Sequence, residues 1–271
     1  MEITAGSLDG SVVFHTISEI SGFLLFMHQQ IPALLQDITA EFDSRCENYK
    51  DLELALREDQ VKPALRRKHA GEMREAKRGI QRFQKLMAGV SHFQTALKTI
   101  LTVTPRFEKA LLILGGNPMR PQHVYELSFF SGRSAGGEEV DFGKSRAAEV
   151  LCKKAIRGLV TKNVGSVSYP GPLKLFLLVK APSCFNQPLH FLPKRDFKYS
   201  NKIVPMRLSF KCKTENQSIE QFSQTGSSNG FVASDSDGGD GGDFIWFQCR
   251  HVIRGLAFNT DPEGGTAQHF S

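Results

Sequence analysis

The sequence predicts an α+β fold in which helices come first along the chain and strands make up most of the remaining residues. Three observations support this prediction. Apolar side chains in the first hundred residues recur at steps of three and four, which is the spacing of one helix face. Later in the chain, short apolar runs end in glycine, proline or asparagine, as is typical of strands and turns. One helical stretch interrupts the strands and no internal repeat is found, so a single domain over residues 1–271 is expected.

Three helices are predicted in the first part of the chain. Residues 15–31 carry apolar side chains at helical spacing, and a second helix is predicted over residues 33–42, after the interruption at Pro32. Residues 43–72 are polar and charged and are interpreted as a connection with a helical part. Residues 73–101 show the clearest helical period and predict a long amphipathic helix.

The beginning of this long helix is basic. Nine Lys or Arg residues stand between Lys62 and Lys85, against Glu72 and Glu75. Such a run forms either a solvated helix face or a docking surface, and it leaves open nucleic-acid or chromatin binding as an alternative function. The net charge of +6 and the pI near 9.1 favour an acidic partner surface, but they are too modest to identify a nucleic-acid-binding protein.

The rest of the chain predicts strands with one helix among them. Residues 109–116 and 123–130 flank a turn signal and are predicted to pair as a hairpin. Residues 145–161 predict a helix, with Ser145 as its N-cap. The apolar side of that helix is predicted to contain Val150, Leu151, Ala155 and Leu159. Further strands are predicted over residues 173–181, 202–212 and 243–258, and a disordered or mobile insertion is predicted over residues 214–242.

The stretch GGEEVDFGKS, residues 136–145, contains the letters of two ATP-binding motifs. A P-loop requires four residues between its first glycine and Gly-Lys-Ser, and the position where that glycine is needed holds Glu138. The Asp-Phe-Gly letters of residues 141–143 are not accompanied by the His-Arg-Asp and Val-Ala-Ile-Lys motifs of a kinase. We therefore interpret residues 136–143 as a connection between elements and not as a nucleotide site.

No other constellation of catalytic or metal-binding residues is recognised. The five cysteines are widely spaced without a Cys-x-x-Cys pair, and none of the eight histidines lies four positions from another. No apolar run reaches the length of a membrane span, about 18 residues, and a signal peptide is not recognised. The sequence therefore predicts a binding or adaptor protein and not an enzyme, with no cofactor, no metal and a reducing compartment.

Four stretches resemble those of one known family. They are LLILGGNPMRPQHVYEL (residues 111–127), FLPK (191–194), DFIWFQCRHVIRG (243–255) and, more weakly, FMHQQIP (26–32). Their order and spacing are similar to those of the comet family, HORMA-like adaptors of the spindle-assembly checkpoint, and plant members in particular. The resemblance runs from about residue 14 to residue 258. Residues 214–242 are longer and richer in Asp and Gly than the family pattern.

The resemblance implies a HORMA-like fold, in which long helices pack on a mostly antiparallel sheet and a C-terminal safety belt closes the domain. The implied function is that of a non-enzymatic adaptor, which binds the closed checkpoint HORMA protein, a meiotic chromosome-axis HORMA protein, or both. The adaptor presents this partner to a hexameric Pch-type AAA+ ATPase for remodelling, which silences the checkpoint or regulates meiotic synapsis and recombination. The implied location is the nucleus and cytoplasm, including kinetochores, the spindle or meiotic chromosomes, without a membrane partner.

The resemblance also implies three sets of site residues. The HORMA-partner contact consists of Lys153, Lys154, Ile156, Arg157, Val160 and Met27. The ATPase-docking element consists of Phe191, Pro193 and Lys194. The safety-belt strand consists of Phe244, Ile245, Trp246, Phe247 and Gln248, and because it is apolar on both faces it is expected to be covered on both. Two positions depart from the family pattern, since Ile156 stands where a bulky aromatic is expected and Met27 where a glutamine is expected.

Overall fold

The computed structural model describes residues 1–57, 63–104, 107–130, 141–165, 169, 171–212 and 243–256. The predicted insertion at 214–242 lies outside the described residues, as does most of the connection at 136–143. Four helices are described, α1 Gly10–Met27, α2 Ile38–Arg57, α3 Pro63–Val103 and α4 Arg146–Thr161. Eight strands are described, β1 Glu2–Ala5, β2 Lys109–Gly115, β3 His123–Phe130, β4 Lys174–Pro182, β5 Phe191–Lys194, β6 Met206–Cys212, β7 Phe244–Cys249 and β8 Ile253–Arg254.

The strands form one sheet in the order β1-β6-β3-β2-β4-β7-β5, with β8 paired to β4. Antiparallel pairs predominate, and the parallel pairs are β1 with β6 and β3 with β6. The predicted hairpin is confirmed, because β2 and β3 are antiparallel neighbours with Leu112 opposite Tyr125. The predicted α+β class is therefore confirmed, with a mixed sheet.

The first helix begins and ends earlier than the apolar period predicts. It begins at Gly10 because Asp9 caps it, accepting a hydrogen bond from the Val12 amide at 2.9 Å. It ends at Met27, two residues before Gln29 adopts a φ of 55°, a left-handed conformation that cannot continue a helix.

The next two helices are longer than predicted. α2 replaces the helix expected over residues 33–42, and α3 begins at Pro63 instead of residue 73. The helices pack against each other, with the rings of Phe42 and Phe83 6.3 Å apart. In the parts of α2 and α3 that extend beyond the predicted helices, charged residues cover most of the described outer surface. An apolar period therefore does not mark these parts in the sequence.

Two strands fall outside the predicted ones. β1 pairs in parallel with β6, although about 200 residues separate the two strands. No local sequence pattern therefore predicts β1. β5 is only four residues long and contains Pro193, which removes a hydrogen-bond donor from the ladder. Both strands lie at the ends of the sheet order, where such short strands are common.

The main core lies between the helices and one face of the sheet. α1 contributes the fully buried Ile17, Ile20, Leu24 and Leu25. By length and composition α1 resembles a membrane span, with 18 residues and a mean hydropathy of 1.4, but 72% of it is buried in the fold. That burial is what a core helix requires. A smaller cluster on the opposite face of the sheet contains Leu111, Ile113, Val124, Phe176 and Leu178.

Candidate interaction surfaces

Helix α4 carries most of the predicted partner-contact residues, and the fold fixes its orientation. Ser145 accepts a hydrogen bond from the Ala148 amide at 3.2 Å, which confirms the predicted N-cap. The ammonium of Lys144 lies 3.1 Å from a carboxylate oxygen of Glu19 and ties the start of α4 to α1. The buried side of α4, which packs against α1 and β1, consists of Ala148, Leu151, Cys152, Ala155 and Leu159.

The side chain of Val150 does not belong to that buried side. It is 47% exposed, so its predicted place on the apolar side with Leu151 is wrong. At 3.6 residues per turn, Val150 lies instead on the strip that contains Arg146, Lys153 and Lys154. The outward face of α4 therefore carries an apolar side chain near each end, Val150 and the 50% exposed Val160.

The predicted partner residues on α4 divide by exposure. Lys153, Lys154, Arg157 and Val160 are exposed, whereas Ile156 is half-buried and packs against the main core. Lys153 pairs with Glu149 at 2.6 Å, and this lysine lowers the pKa of the Glu149 carboxyl. Ile156 therefore offers only part of its side chain to a partner.

Two further contacts relate the partner residues to the surrounding elements. The ammonium of Lys154 donates to the backbone oxygen of Thr4 at 3.3 Å, and so covers a carbonyl on β1. Met27, at the end of α1, is half-buried and lies against Gly165, which follows α4. Gly165 has a φ of 89°, and a Cβ there would lie 2.6 Å from the Met27 carbonyl carbon, so this close approach requires glycine. Met27 is thus adjacent to the C-terminal end of α4.

The predicted ATPase-docking element is an edge strand. Among the described strands β5 pairs only with β7, with Pro193 opposite Phe247, so the missing N–H of proline leaves none of these strands without a partner. Pro193 and Lys194 are exposed. Phe191 is 2% exposed and its ring lies 5.5 Å from that of Phe185, so it anchors β5 in the core and only the other two residues face solvent.

The predicted safety-belt strand, β7, lies between β4 and β5. Ile245 and Phe247 are buried against the main core. Trp246 is half-buried against the smaller cluster on the opposite face, and Phe244 and Gln248 are also half-buried. The strand is therefore covered completely on one face and in part on the other, in keeping with its two apolar faces.

Gln30 is a structural residue that the sequence patterns described above do not single out. It is 3% exposed, and its side-chain oxygen accepts from the Leu173 amide just before β4. Its side-chain amide donates to the His28 carbonyl at 2.8 Å, and its own carbonyl accepts from the Leu256 amide at 2.8 Å. One residue thereby holds the end of α1, the start of β4 and the segment after β8. An uncharged polar run, His-Gln-Gln, between an apolar helix and a proline is the sequence signal that marks it.

A polar network of aromatic side chains lies beside Gln30. The Nε2 atom of His28 is 2.7 Å from the hydroxyl of Tyr125, its Nδ1 atom is 3.3 Å from the hydroxyl of Tyr169, and Tyr169 also contacts His123. Burial, assisted by the nearby His123, lowers the pKa of His28 to about 4, and burial raises the pKa of Tyr125. The network is therefore neutral near pH 7, and its members His28, His123 and Tyr125 line a cavity of about 580 Å³.

Residues 142–144, which belong to the stretch with the letters of ATP-binding motifs, pack against α1. The ring of Phe142 lies 5.3 Å from that of Phe14, and the backbone carbonyl oxygen of Phe142 lies 2.9 Å from Nε2 of His15. The Gly143 carbonyl accepts from the Ser11 hydroxyl at 2.9 Å. Lys144, the position of a phosphate-binding lysine in a P-loop, is instead paired with a glutamate of α1.

Within the described ranges, no group of three His, Cys, Asp or Glu side chains is arranged to hold a metal ion, and the thiols of Cys46, Cys152, Cys184 and Cys249 are free. Comparison of the chain with protein-family models finds no match. Comparison with curated proteins finds none of significant sequence similarity. The class of protein is therefore defined by the fold and by the surfaces of α4 and β5. It is an α+β domain with an exposed basic helix face and an exposed edge strand.

Proposed function

We propose that this chain is a non-enzymatic HORMA-like adaptor that binds a closed HORMA protein through α4 and presents it to a hexameric AAA+ ATPase of the Pch type. The observation that carries the proposal is the outward face of α4. Its buried side is fully used by the core, and the 50% exposed Val160 stands outside that core among the exposed cations Lys153, Lys154 and Arg157, where the fold does not require an apolar side chain.

The composition of this face suits a protein partner. Interfaces draw most of their binding energy from a few apolar or arginine anchors surrounded by a polar rim. Val150, Val160 and the exposed part of Ile156 supply small apolar anchors, and Arg157 with the two lysines supplies a basic rim. Because no anchor is aromatic, we expect weaker binding than a family member with an aromatic at position 156 would show.

The partners we propose are the closed HORMA protein of the spindle checkpoint, a HORMA protein of the meiotic chromosome axis, or both. Checkpoint silencing or control of meiotic synapsis and recombination would follow, in the nucleus or cytoplasm and at kinetochores, the spindle or meiotic chromosomes. The support for an ATPase contact is the pair Pro193 and Lys194, which presents a rigid backbone and a positive charge at an open sheet edge. No chemistry on the adaptor itself is part of this proposal.

The test compares charge reversal on α4 with charge reversal elsewhere. Lys153→Glu with Arg157→Glu should weaken binding of the closed HORMA protein by about tenfold or more, because two rim cations become repulsive. Lys198→Glu with Lys202→Glu changes the net charge equally on an exposed segment between β5 and β6 and should leave the affinity unchanged. Equal losses in the two double variants would remove α4 from the interface.

Substitution of two apolar residues of α4 by aspartate distinguishes an effect on partner binding from an effect on folding. Val160→Asp should reduce partner affinity with only a small decrease in the melting temperature, because the side chain is half exposed, although a carboxylate in the last turn of α4 opposes the helix dipole. Ile156→Asp should reduce both, since part of its side chain packs in the core. An unchanged affinity in Val160→Asp would move the contact to another surface.

Nucleic-acid or chromatin binding remains the second candidate, because the basic part of α3 is solvent-exposed. Its exposed cations are Arg67, Lys68, Arg74, Lys77, Arg78, Arg82 and Lys85. Binding of this kind should weaken steeply and log-linearly with salt. A titration of double-stranded DNA at several salt concentrations distinguishes the two functions, since the adaptor proposal predicts no binding near physiological salt.

A further inference from the structure

A cleft of about 450 Å³ lies between α3 and β8, and no residue of α4 or β5 lines it. Leu86 of α3 forms one apolar side, and Val252 and Leu256, on either side of β8, form another. Pro172 completes the apolar lining. The cleft is large enough for one or two side chains of a ligand and is separate from the surfaces described above.

The walls of the cleft are fixed before a ligand binds. Leu86 is 2% exposed and is part of the main core. The Gly255 amide donates to the Leu173 carbonyl at 2.8 Å, and the Leu256 amide donates to the Gln30 carbonyl at 2.8 Å. A ligand therefore meets a preformed site, which lowers the entropic cost of binding.

Three cations stand at the rim of this apolar cleft. Arg82 and Lys85 come from α3 and Arg254 from β8, and all three are exposed. Across the described part of the chain, no carboxylate lies within ion-pair distance of any of them. Some cations elsewhere on the surface are paired, as Lys211 is with Glu2 at 2.7 Å. Like charges gathered without counter-charges favour a negatively charged ligand.

We propose that this cleft is a docking site for an acidic segment of another protein. The segment inserts one apolar side chain between the walls and places carboxylates against the three rim cations. The apolar lining supplies affinity through burial, and the cations fix orientation and increase the association rate. This site is distinct from the proposed HORMA contact on α4.

The lining favours a peptide over a nucleic acid. Nucleic-acid sites that hold single strands offer aromatic rings on which bases stack, and among the described residues no Phe, Tyr or Trp lines this cleft. Aliphatic side chains and a proline instead match an apolar anchor residue of a peptide. The cations then suit acidic residues beside that anchor.

The test uses the full chain and a short fluorescent peptide in which one photoreactive phenylalanine analogue is flanked by glutamates. Binding is measured by fluorescence anisotropy. Arg82→Glu with Arg254→Glu should weaken binding by about tenfold or more, because two attractions become repulsions. Lys77→Glu with Arg78→Glu, on the exposed surface of α3, is the matched control and should leave binding unchanged. All four side chains are exposed, so both variants should keep the parent melting temperature.

Two matched peptides and photocrosslinking locate the site. Replacing the glutamates with glutamine, or the apolar residue with serine, should abolish binding, and crosslinks should fall within residues 82–86 or 252–256. Equal weakening by the control variant, or crosslinks elsewhere, would overturn the proposal.

Equally tight binding of single-stranded DNA would assign the cations to nucleic acid. Tighter peptide binding by a chain ending at Leu256 would assign the cleft to the chain's own tail. A dimer that the Arg82 and Arg254 reversals dissociate would assign it to a second copy.

Discussion

The side chain of Gln30 joins three segments that are far apart in the sequence. Its amide group and its backbone carbonyl satisfy the Leu173 and Leu256 amides at the edges of β4 and β8. Because buried backbone amides without an acceptor are costly, this residue stabilises the position of the C-terminal segment.

Gln30→Ala should therefore destabilise the protein by about 2 kcal/mol, since it leaves a buried amide without an acceptor. The exposed Gln36→Ala is the control and should change the free energy of unfolding by less than about 0.5 kcal/mol. Urea denaturation at neutral pH measures both. Equal stability of the two variants would show that the Gln30 contacts do not support the C-terminal segment.

The His28 imidazole makes stability depend on pH. Its pKa is about 4 in the folded protein, whereas an unfolded histidine titrates at about 6.5. The unfolded chain therefore binds more protons between these values, and the stabilisation from neutral His28, complete above about pH 6.5, is lost as the pH falls towards about 4.

Acidification from pH 7.5 to pH 5 should accordingly lower the free energy of unfolding, and His28→Gln should reduce the size of that change. The substitution keeps a group that can hydrogen-bond to Tyr125 but removes the titration. His123 and His251, whose pKa values are also lowered by burial, should keep part of the dependence in the variant. An unaltered pH dependence in His28→Gln would contradict this assignment.

One end of strand β5 is buried in the core and the other end is exposed to solvent. Phe191 holds it in the core, while Pro193 and Lys194 face solvent at the open edge of the sheet. An edge strand with one buried anchor can present a fixed surface without carrying much of the fold's stability.

Pro193→Ala with Lys194→Ala should therefore slow ATPase-dependent remodelling of the bound HORMA protein and leave binding of that protein unchanged. The measurement is the rate at which closed partner converts to open partner in the presence of ATP and the ATPase. Lys180→Ala, on strand β4, which β7 separates from β5, is the control. Equal remodelling rates for the double variant and the parent chain would refute the docking role.

Across the molecule, elements that depend on local pattern are the ones that the sequence predicts. α4 and its Ser145 cap follow from an apolar period and a short polar residue, and the β2–β3 hairpin follows from its turn. Elements fixed by distant partners are not predicted. β1 becomes a strand only because β6 is available beside it, and the first turns of α3 are helical without an apolar period.

The candidate surfaces show the same division. Exposure of Lys153 and Arg157 follows from helical spacing, but the outward position of Val150 depends on which side of α4 meets α1. The cations at the α3–β8 cleft come from residues about 170 positions apart, and only folding brings them together. The HORMA-like assignment itself stays a prediction from the resemblance of four sequence stretches.

The most direct test of the adaptor function is a calorimetric titration of the full chain with the closed and the open forms of the checkpoint HORMA protein, and with a meiotic-axis HORMA protein. We predict a stoichiometric complex with at least one closed HORMA protein, no complex with the open form, and loss of heat in Lys153→Glu with Arg157→Glu. A chain that binds none of these proteins would contradict the adaptor function.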